Sequence, residues 1–142
     1  MLIKSENESL RIEIIQRNSP DSKDYWDGNW LRSKIIISVD GFKGSYNTNL
    51  HVDDFKRFHS DLIRLKNNAI SKVEFHTMEE GICLKGKLDF SGNMQWEGVA
   101  MSEPGRNSLS FFLASDNQLI SSLIQTLEAD LENYPLVGID NF

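Results

Sequence analysis

Hydrophobic and polar positions alternate along much of this chain, in short stretches separated by turn residues. The first alternating stretches are residues 2–4 and 10–15, and a nearly continuous β-branched stretch follows at 35–39. A period of two predicts half-buried strands, and a short continuous apolar stretch predicts a strand covered on both faces. Asp40-Gly41 is a two-residue hairpin signal, so the next alternating stretch should return antiparallel to residues 35–39.

Two longer stretches repeat their apolar positions every three or four residues, which predicts amphipathic helices. They span about Asp53 to Asn67, with Asp53 as the N-cap, and about Asn117 to Asn133. Between them lie four alternating stretches, joined by turns too short for a parallel crossover. The order βββ(β)α-ββββ-α predicts an α+β fold, a mostly antiparallel β-sheet meander with two amphipathic helices packed on one sheet face. The length of 142 residues predicts a single domain, 1–142.

Charge and composition limit the kinds of partner and the cellular location that we expect for this protein. The formal net charge is −6, which argues against a nucleic-acid partner and permits a basic protein partner. No stretch reaches the roughly 18 apolar residues of a membrane span, and the first residues lack the apolar run of a signal peptide. We therefore expect a soluble, cytoplasmic protein without a membrane partner.

The residues that usually carry chemistry are sparse. His51, His59 and His76 lack the spacing of a zinc pair, and Cys83 is the only cysteine. No glycine-rich phosphate loop opens a helix. We therefore expect a protein that is not an enzyme, with no catalytic residue, no metal ligand and no cofactor.

The stretch 24–31, which reads DYWDGNWL, contains two of the three tryptophans. Its Asp-Gly-Asn sequence predicts a tight turn, because Gly28 can take a positive φ and Asn29 tolerates one. The indoles have two interpretations: they pack over a sheet edge, or they form a binding hot spot with aspartates at its rim. The second interpretation makes these residues candidates for binding a protein partner: Asp21, Asp24, Tyr25, Trp26, Asp27, Asn29 and Trp30.

The same stretch carries a resemblance to a known family. The chain resembles the WapI-type immunity proteins of bacterial polymorphic-toxin systems in five segments. In order, they are LIKSENESLRIEI, PDSKDYWDGNWL, GFKGSY, DDFKRF and NSLSFFLASDNQLISSLIQTLE. The resemblance implies a non-catalytic protein that binds and masks the toxic domain encoded by a neighbouring gene. Toxins of this kind are often nucleases with basic substrate-binding surfaces, which an acidic chain would suit.

Two alternatives stay open at this stage. One is a structural domain that self-associates, for example as a homodimer through exposed strand edges. The other is a small-ligand-binding domain or enzyme with a pocket lined by Asp24, Asp27 and His76.

Overall fold

In the computed structural model, which describes residues 1–103 and 105–139, the chain forms strands and helices in the predicted alternation. The elements are β1 (Leu2–Lys4), β2 (Ser9–Arg17), α1 (Tyr25–Gly28), β3 (Trp30–Val39), β4 (Phe42–His51), α2 (Val52–Lys66), β5 (Lys72–His76), β6 (Ile82–Leu88), β7 (Met94–Glu103), β8 (Asn107–Ser115) and α3 (Leu119–Asn133).

The predicted α+β class is confirmed, and the strands divide between two antiparallel sheets. The first sheet has the order β1-β2-β3-β4 and the second the order β5-β6-β7-β8. Each is a meander that ends in a long helix, so the chain repeats one plan, ββββα, twice. The local patterns predict where strands form but not whether they make one sheet or two. That choice depends on where β5 pairs after the long connection through α2.

Helix α2 begins at Val52, one residue before the predicted start, because its N-cap is His51 and not Asp53. The Nδ1 atom of His51 accepts a hydrogen bond from the Asp53 N–H at 3.1 Å. The Asp54 carboxylate in turn accepts from the His51 N–H at 2.9 Å. This reciprocal pair satisfies two helix-end donors, as a capping box does. Among the described residues, no helix has the length and apolar character needed to cross a membrane.

The core lies between the inner faces of the two sheets and the helices. Helix α2 packs against α3 and β5. Its Phe58 ring lies 5.1 Å from the Phe75 ring and 6.4 Å from the Trp96 ring, measured between centroids. The Trp96 indole donates a hydrogen bond to the Ser115 hydroxyl at 2.9 Å, which satisfies its buried N–H. One continuous hydrophobic cluster therefore includes residues of both sheets and both long helices.

The opposite faces of the sheets are open to solvent. In β3, Leu31, Ser33 and Ile35 are buried, while the intervening Arg32 and Lys34 are exposed. This is the period-two alternation of a sheet with one covered face, so the prediction that the strand at residues 35–39 is covered on both faces is wrong. A hydrogen bond connects the two sheets: the Tyr46 hydroxyl of β4 donates to the carbonyl of Gly81, just before β6, at 2.6 Å.

Candidate partner-binding site

The DYWDGNWL stretch forms a single helical turn, α1, that leads directly into β3. Asp24 is its N-cap: the carboxylate accepts hydrogen bonds from the backbone N–H groups of Trp26, at 3.1 Å, and Asp27, at 2.9 Å. An aspartate in this position satisfies donors that have no partner within the helix. Asp24 therefore shapes the turn through its side chain as well as contributing charge.

Gly28 does not use the positive φ that a glycine allows; among the described residues, the glycines with positive φ are Gly41, Gly92, Gly105 and Gly138. Gly28 is needed for close packing instead. A Cβ atom at this position would lie 2.6 Å from Cγ2 of Val137 and 2.8 Å from the Ser22 carbonyl oxygen. Gly28 is therefore required because two segments approach its backbone, one at Ser22 and one at Val137, more than a hundred residues away.

A C-terminal segment holds the turn in place. The fully buried Asn29 side chain donates to the Tyr25 carbonyl at 2.6 Å and to the Val137 carbonyl at 2.9 Å, and accepts from the Val137 N–H at 2.9 Å. Arg17 adds a second connection, because its guanidinium donates to the carbonyls of Gly28 and Pro135. The turn is thus fixed by hydrogen bonds to both β2 and the C-terminal segment.

Four aromatic rings meet above this turn. His51 lies 5.2 Å from Tyr25, 5.9 Å from Trp26 and 5.0 Å from Trp30, between ring centroids. The two indoles are 5.3 Å apart and nearly perpendicular, at 87°, which is a favoured edge-to-face arrangement. The Tyr25 hydroxyl donates to the Asp53 carboxylate. Sequence reasoning missed His51, because nothing in its local pattern shows that the end of β4 meets the tryptophans.

The protonation state of His51 follows from its contacts. Its Nδ1 atom accepts from the Asp53 N–H, so the proton is on Nε2, which faces the Tyr25 carbonyl at 3.3 Å. Burial lowers the pKa of His51 from its ordinary value, against a smaller effect of the hydrogen bond to Tyr25, which raises it. At neutral pH the imidazole is neutral and serves as the helix N-cap.

The seven predicted residues fall into two groups by exposure. Tyr25 and Asn29 are buried, so they position the turn and do not face solvent. Trp26 is 53% exposed, which is high for an indole packed on other rings. Trp30 is half-buried beside it. The exposed surface, which we call the indole–acid surface, consists of Trp26, the edge of Trp30 and three carboxylates: Asp21, Asp24 and Asp27.

The sequence suggested a pocket lined by Asp24, Asp27 and His76. In the structure these three residues do not line a common pocket. His76 lines a separate open cleft with Asp54, Arg57, Asp61 and Glu74. Asp54 is buried there, where it pairs with Arg57 at 2.8 Å. Within the described part of the chain, no group of three or more His, Cys, Asp or Glu side chains is placed to hold a metal ion.

Solved structures with a similar fold exist at low sequence identity. Trypanosoma brucei MRP1/MRP2 matches with a TM-score of 0.51 at 13% identity, over 94% of this chain and 79% of that chain. A guide-RNA-binding protein complex bound to a guide RNA matches with a TM-score of 0.50 at 10% identity, over 93% of this chain and 88% of that chain. Arabidopsis thaliana WHY1 matches with a TM-score of 0.50 at 14% identity, over 97% of this chain and 84% of that chain. At these identities the likeness shows the fold alone. No curated protein matches the sequence.

The repeated ββββα plan, with an aromatic and acidic turn on its surface, defines a small α+β domain. The chain belongs to the immunity protein WapI-like family, whose model matches residues 1–135. This confirms the resemblance drawn from the sequence. Membership supports an immunity function, and immunity proteins are generally non-catalytic.

Proposed function

We propose that residues 1–142 act as a single immunity domain that binds and masks a cognate toxin domain, and that this toxin is a basic, nuclease-type domain. The family match over residues 1–135 is the observation that carries the proposal. The formal net charge of −6 suits a basic partner, because opposite charges accelerate encounter and disfavour wrong partners.

We further propose that the indole–acid surface forms part of the interface. Trp26 offers a large apolar area at low entropic cost, since its ring is already held by Trp30 and His51. Asp21 and Asp27 are exposed within the same segment and can pair with lysine or arginine side chains of the toxin. The hydrogen bonds of Asn29 fix the turn before binding, so the turn loses little conformational entropy when the toxin binds.

The test is co-expression of the protein with the toxic domain encoded by the neighbouring gene. We expect rescue of growth and a stable complex of the two chains. Growth arrest without a complex would contradict the immunity function. A chain that instead purifies only with copies of itself, by light scattering after size exclusion, would support the self-associating alternative.

The interface is tested with charge variants that spare the N-cap, Asp24. Asp21→Lys combined with Asp27→Lys should weaken toxin binding by about tenfold or more, chiefly through slower association. The matched control is Glu6→Lys with Asp40→Lys, the same charge change on exposed residues at the other end of the first sheet. Trp26→Ala should cost about 2 kcal/mol of binding free energy, as hot-spot residues do. Equal effects of both charge pairs would place the interface elsewhere.

A further inference from the structure

The first sheet ends in the edge strand β4, whose second side pairs with no other strand of the described chain. β4 has 10 residues and pairs with β3 without a register shift, so its edge is long and regular. Every residue from Phe42 to Asn49 is exposed or half-buried. Such an edge offers backbone donors and acceptors that can pair with a strand of another chain. We call this side of β4 the β4 edge.

The hairpin between β3 and β4 determines which backbone groups point to the β4 edge. Its turn has two residues, 40–41, so Val39 and Phe42 on either side of it are hydrogen-bonded to each other. Bonded and non-bonded positions alternate along an antiparallel pair. The Val52 N–H donates to the Asn29 carbonyl at 2.9 Å, which continues the same alternation past the end of β4. Four residues therefore point their N–H and C=O groups away from β3: Lys43, Ser45, Asn47 and Asn49.

These outward groups are available for pairing. Within residues 1–103 and 105–139, no hydrogen bond joins the backbone N–H or C=O groups of Lys43, Ser45, Asn47 or Asn49 to a segment outside the sheet. β4 contains no proline and no carboxylate, and its only side chain charged at neutral pH is Lys43, near its beginning. From Ser45 to Asn49, β4 therefore has none of the residues that usually prevent pairing at a strand edge.

The other sheet edges of the described chain are shorter or lie close to other strands and helices. β1 has 3 residues. β5 has 5 residues and packs against α2. β8 is longer but lies near β1 and β3. The long edge of β4 is thus the most accessible place for a strand of another chain.

The end of β4 lies at the indole–acid surface. His51 is the last residue of β4, and its ring centroid is 5.9 Å from that of Trp26 and 5.0 Å from that of Trp30. A strand that pairs along β4 up to this end comes directly beside the two indoles. A partner can therefore contact the β4 edge and the indole–acid surface together.

A second copy of this chain fits the β4 edge less well. Two strands that meet only at their edges associate marginally, whereas a specific complex generally buries about 1,200 Å² or more. In an antiparallel pair of two β4 strands, the exposed Phe42 of one copy would lie near the end of the other β4. Side chains alternate between faces along a strand, so Phe42 lies on the face opposite to His51 and the indoles. Self-pairing would therefore leave Trp26 uncovered.

We propose that an extended strand of the toxin pairs with β4 and adds a fifth strand to the first sheet. This inference rests on the proposed function, since the toxin is the partner. Backbone hydrogen bonds supply affinity in this mode of recognition and demand few particular side chains from the added strand. Because β4 is uncharged from Ser45 to Asn49, it accepts a strand from a basic toxin. Contacts at the indole–acid surface add the apolar area that edge pairing alone lacks.

The first test is amide hydrogen exchange, measured residue by residue by NMR. It compares the full chain alone with the full chain bound to the toxic domain encoded by the neighbouring gene. The four outward amides, those of Lys43, Ser45, Asn47 and Asn49, should exchange rapidly in the free chain and about tenfold or more slowly in the complex. The intervening amides bond to β3 and should exchange slowly in both states, as an internal control; they are those of Gly44, Tyr46 and Thr48.

The outcomes separate this inference from the function on which it rests. A complex that forms without the alternating protection would overturn pairing at the β4 edge and leave the immunity function standing. Absence of any complex would overturn both. The same protection in the free chain, rising with protein concentration, would identify a second copy as the occupant and overturn the proposal for the toxin.

The second test compares two substitutions at one position. Asn47→Pro removes an outward N–H and places a ring on the β4 edge, while the hydrogen bonds to β3 remain. Asn47→Ala keeps the N–H and is the matched control. We expect the proline variant to bind the toxin about tenfold or more weakly than the alanine variant, which should stay close to wild type. Thermal melts show whether each variant is folded, and Ser45→Pro repeats the test at a second outward N–H. Equal affinities of the folded proline and alanine variants would overturn the proposal.

Discussion

Asn29 is the residue whose removal tests the architecture of the indole–acid surface most directly. Its side chain is fully buried and makes three hydrogen bonds, one to the Tyr25 carbonyl and two to the backbone of Val137. At about 1 kcal/mol each, these sum to about 3 kcal/mol. Val137 is half-buried, so water can replace part of what is lost. We therefore expect Asn29→Ala to lower the free energy of unfolding by about 2–3 kcal/mol.

The assay is thermal or urea unfolding followed by circular dichroism. For a chain of this length, such a loss lowers Tm by roughly 8–12 °C. Asn47→Ala is the matched control, because Asn47 is exposed on β4 and the same substitution there should change stability by less than about 0.5 kcal/mol.

The same substitution in a shortened chain separates the contact of Asn29 with Val137 from its contact with Tyr25. In a chain that ends at Pro135, Asn29 keeps only its bond to the Tyr25 carbonyl, so Asn29→Ala should cost about 1 kcal/mol. The coupling between the two changes is then about 1–2 kcal/mol. The same cost in both backgrounds, or a cost below about 1 kcal/mol in the full chain, would refute the reasoning.

Two further predictions concern the core and the helix cap. Gly98→Ala should destabilise the fold by about 1–3 kcal/mol, because a Cβ there would lie 2.3 Å from the Phe111 ring; Gly44→Ala, with open space around it, is the control in a urea titration. Burial lowers the pKa of His51 in the folded chain, so as pH falls the unfolded chain takes up the His51 proton before the folded chain does. The contribution of neutral His51 to stability is therefore complete above pH about 6.5 and is lost as pH falls below that value. Urea titrations at pH 7.5 and 5.5 should show this loss in the wild type and a smaller one in His51→Asn, and equal losses would contradict the assignment.

Much of the fold followed from local patterns. The alternation in β2 and the apolar stripe of α2 give these two elements to within a few residues, because side-chain period follows directly from backbone geometry. Strand β3 was predicted only for residues 35–39, whereas it begins at Trp30. The division into two sheets did not follow. The pairing of strands on either side of α2 depends on long-range contacts, which a pattern of adjacent residues does not show.

The candidate site divides in the same way. The sequence singled out the tryptophan stretch and predicted a tight turn there, and the structure has a helical turn beside exposed carboxylates. It could not show that Asn29 faces inward or that His51 joins the aromatic rings, since Val137 is 108 residues from Asn29 and Tyr25 is 26 residues from His51 along the chain. The role of Gly28 was assigned to φ when the cause is the approach of Val137.

The sequence by itself determined the element types, the helix stripes, the overall acidity and the family, because each depends on residue identity and spacing alone. The tertiary structure decided which charges share a surface. Lys4, Lys34 and Lys43 come from three strands and look unremarkable in sequence, yet antiparallel register places them on one open face. Register is fixed by burying the opposite, apolar face, so the packing of the core determines where the charge of this chain is displayed.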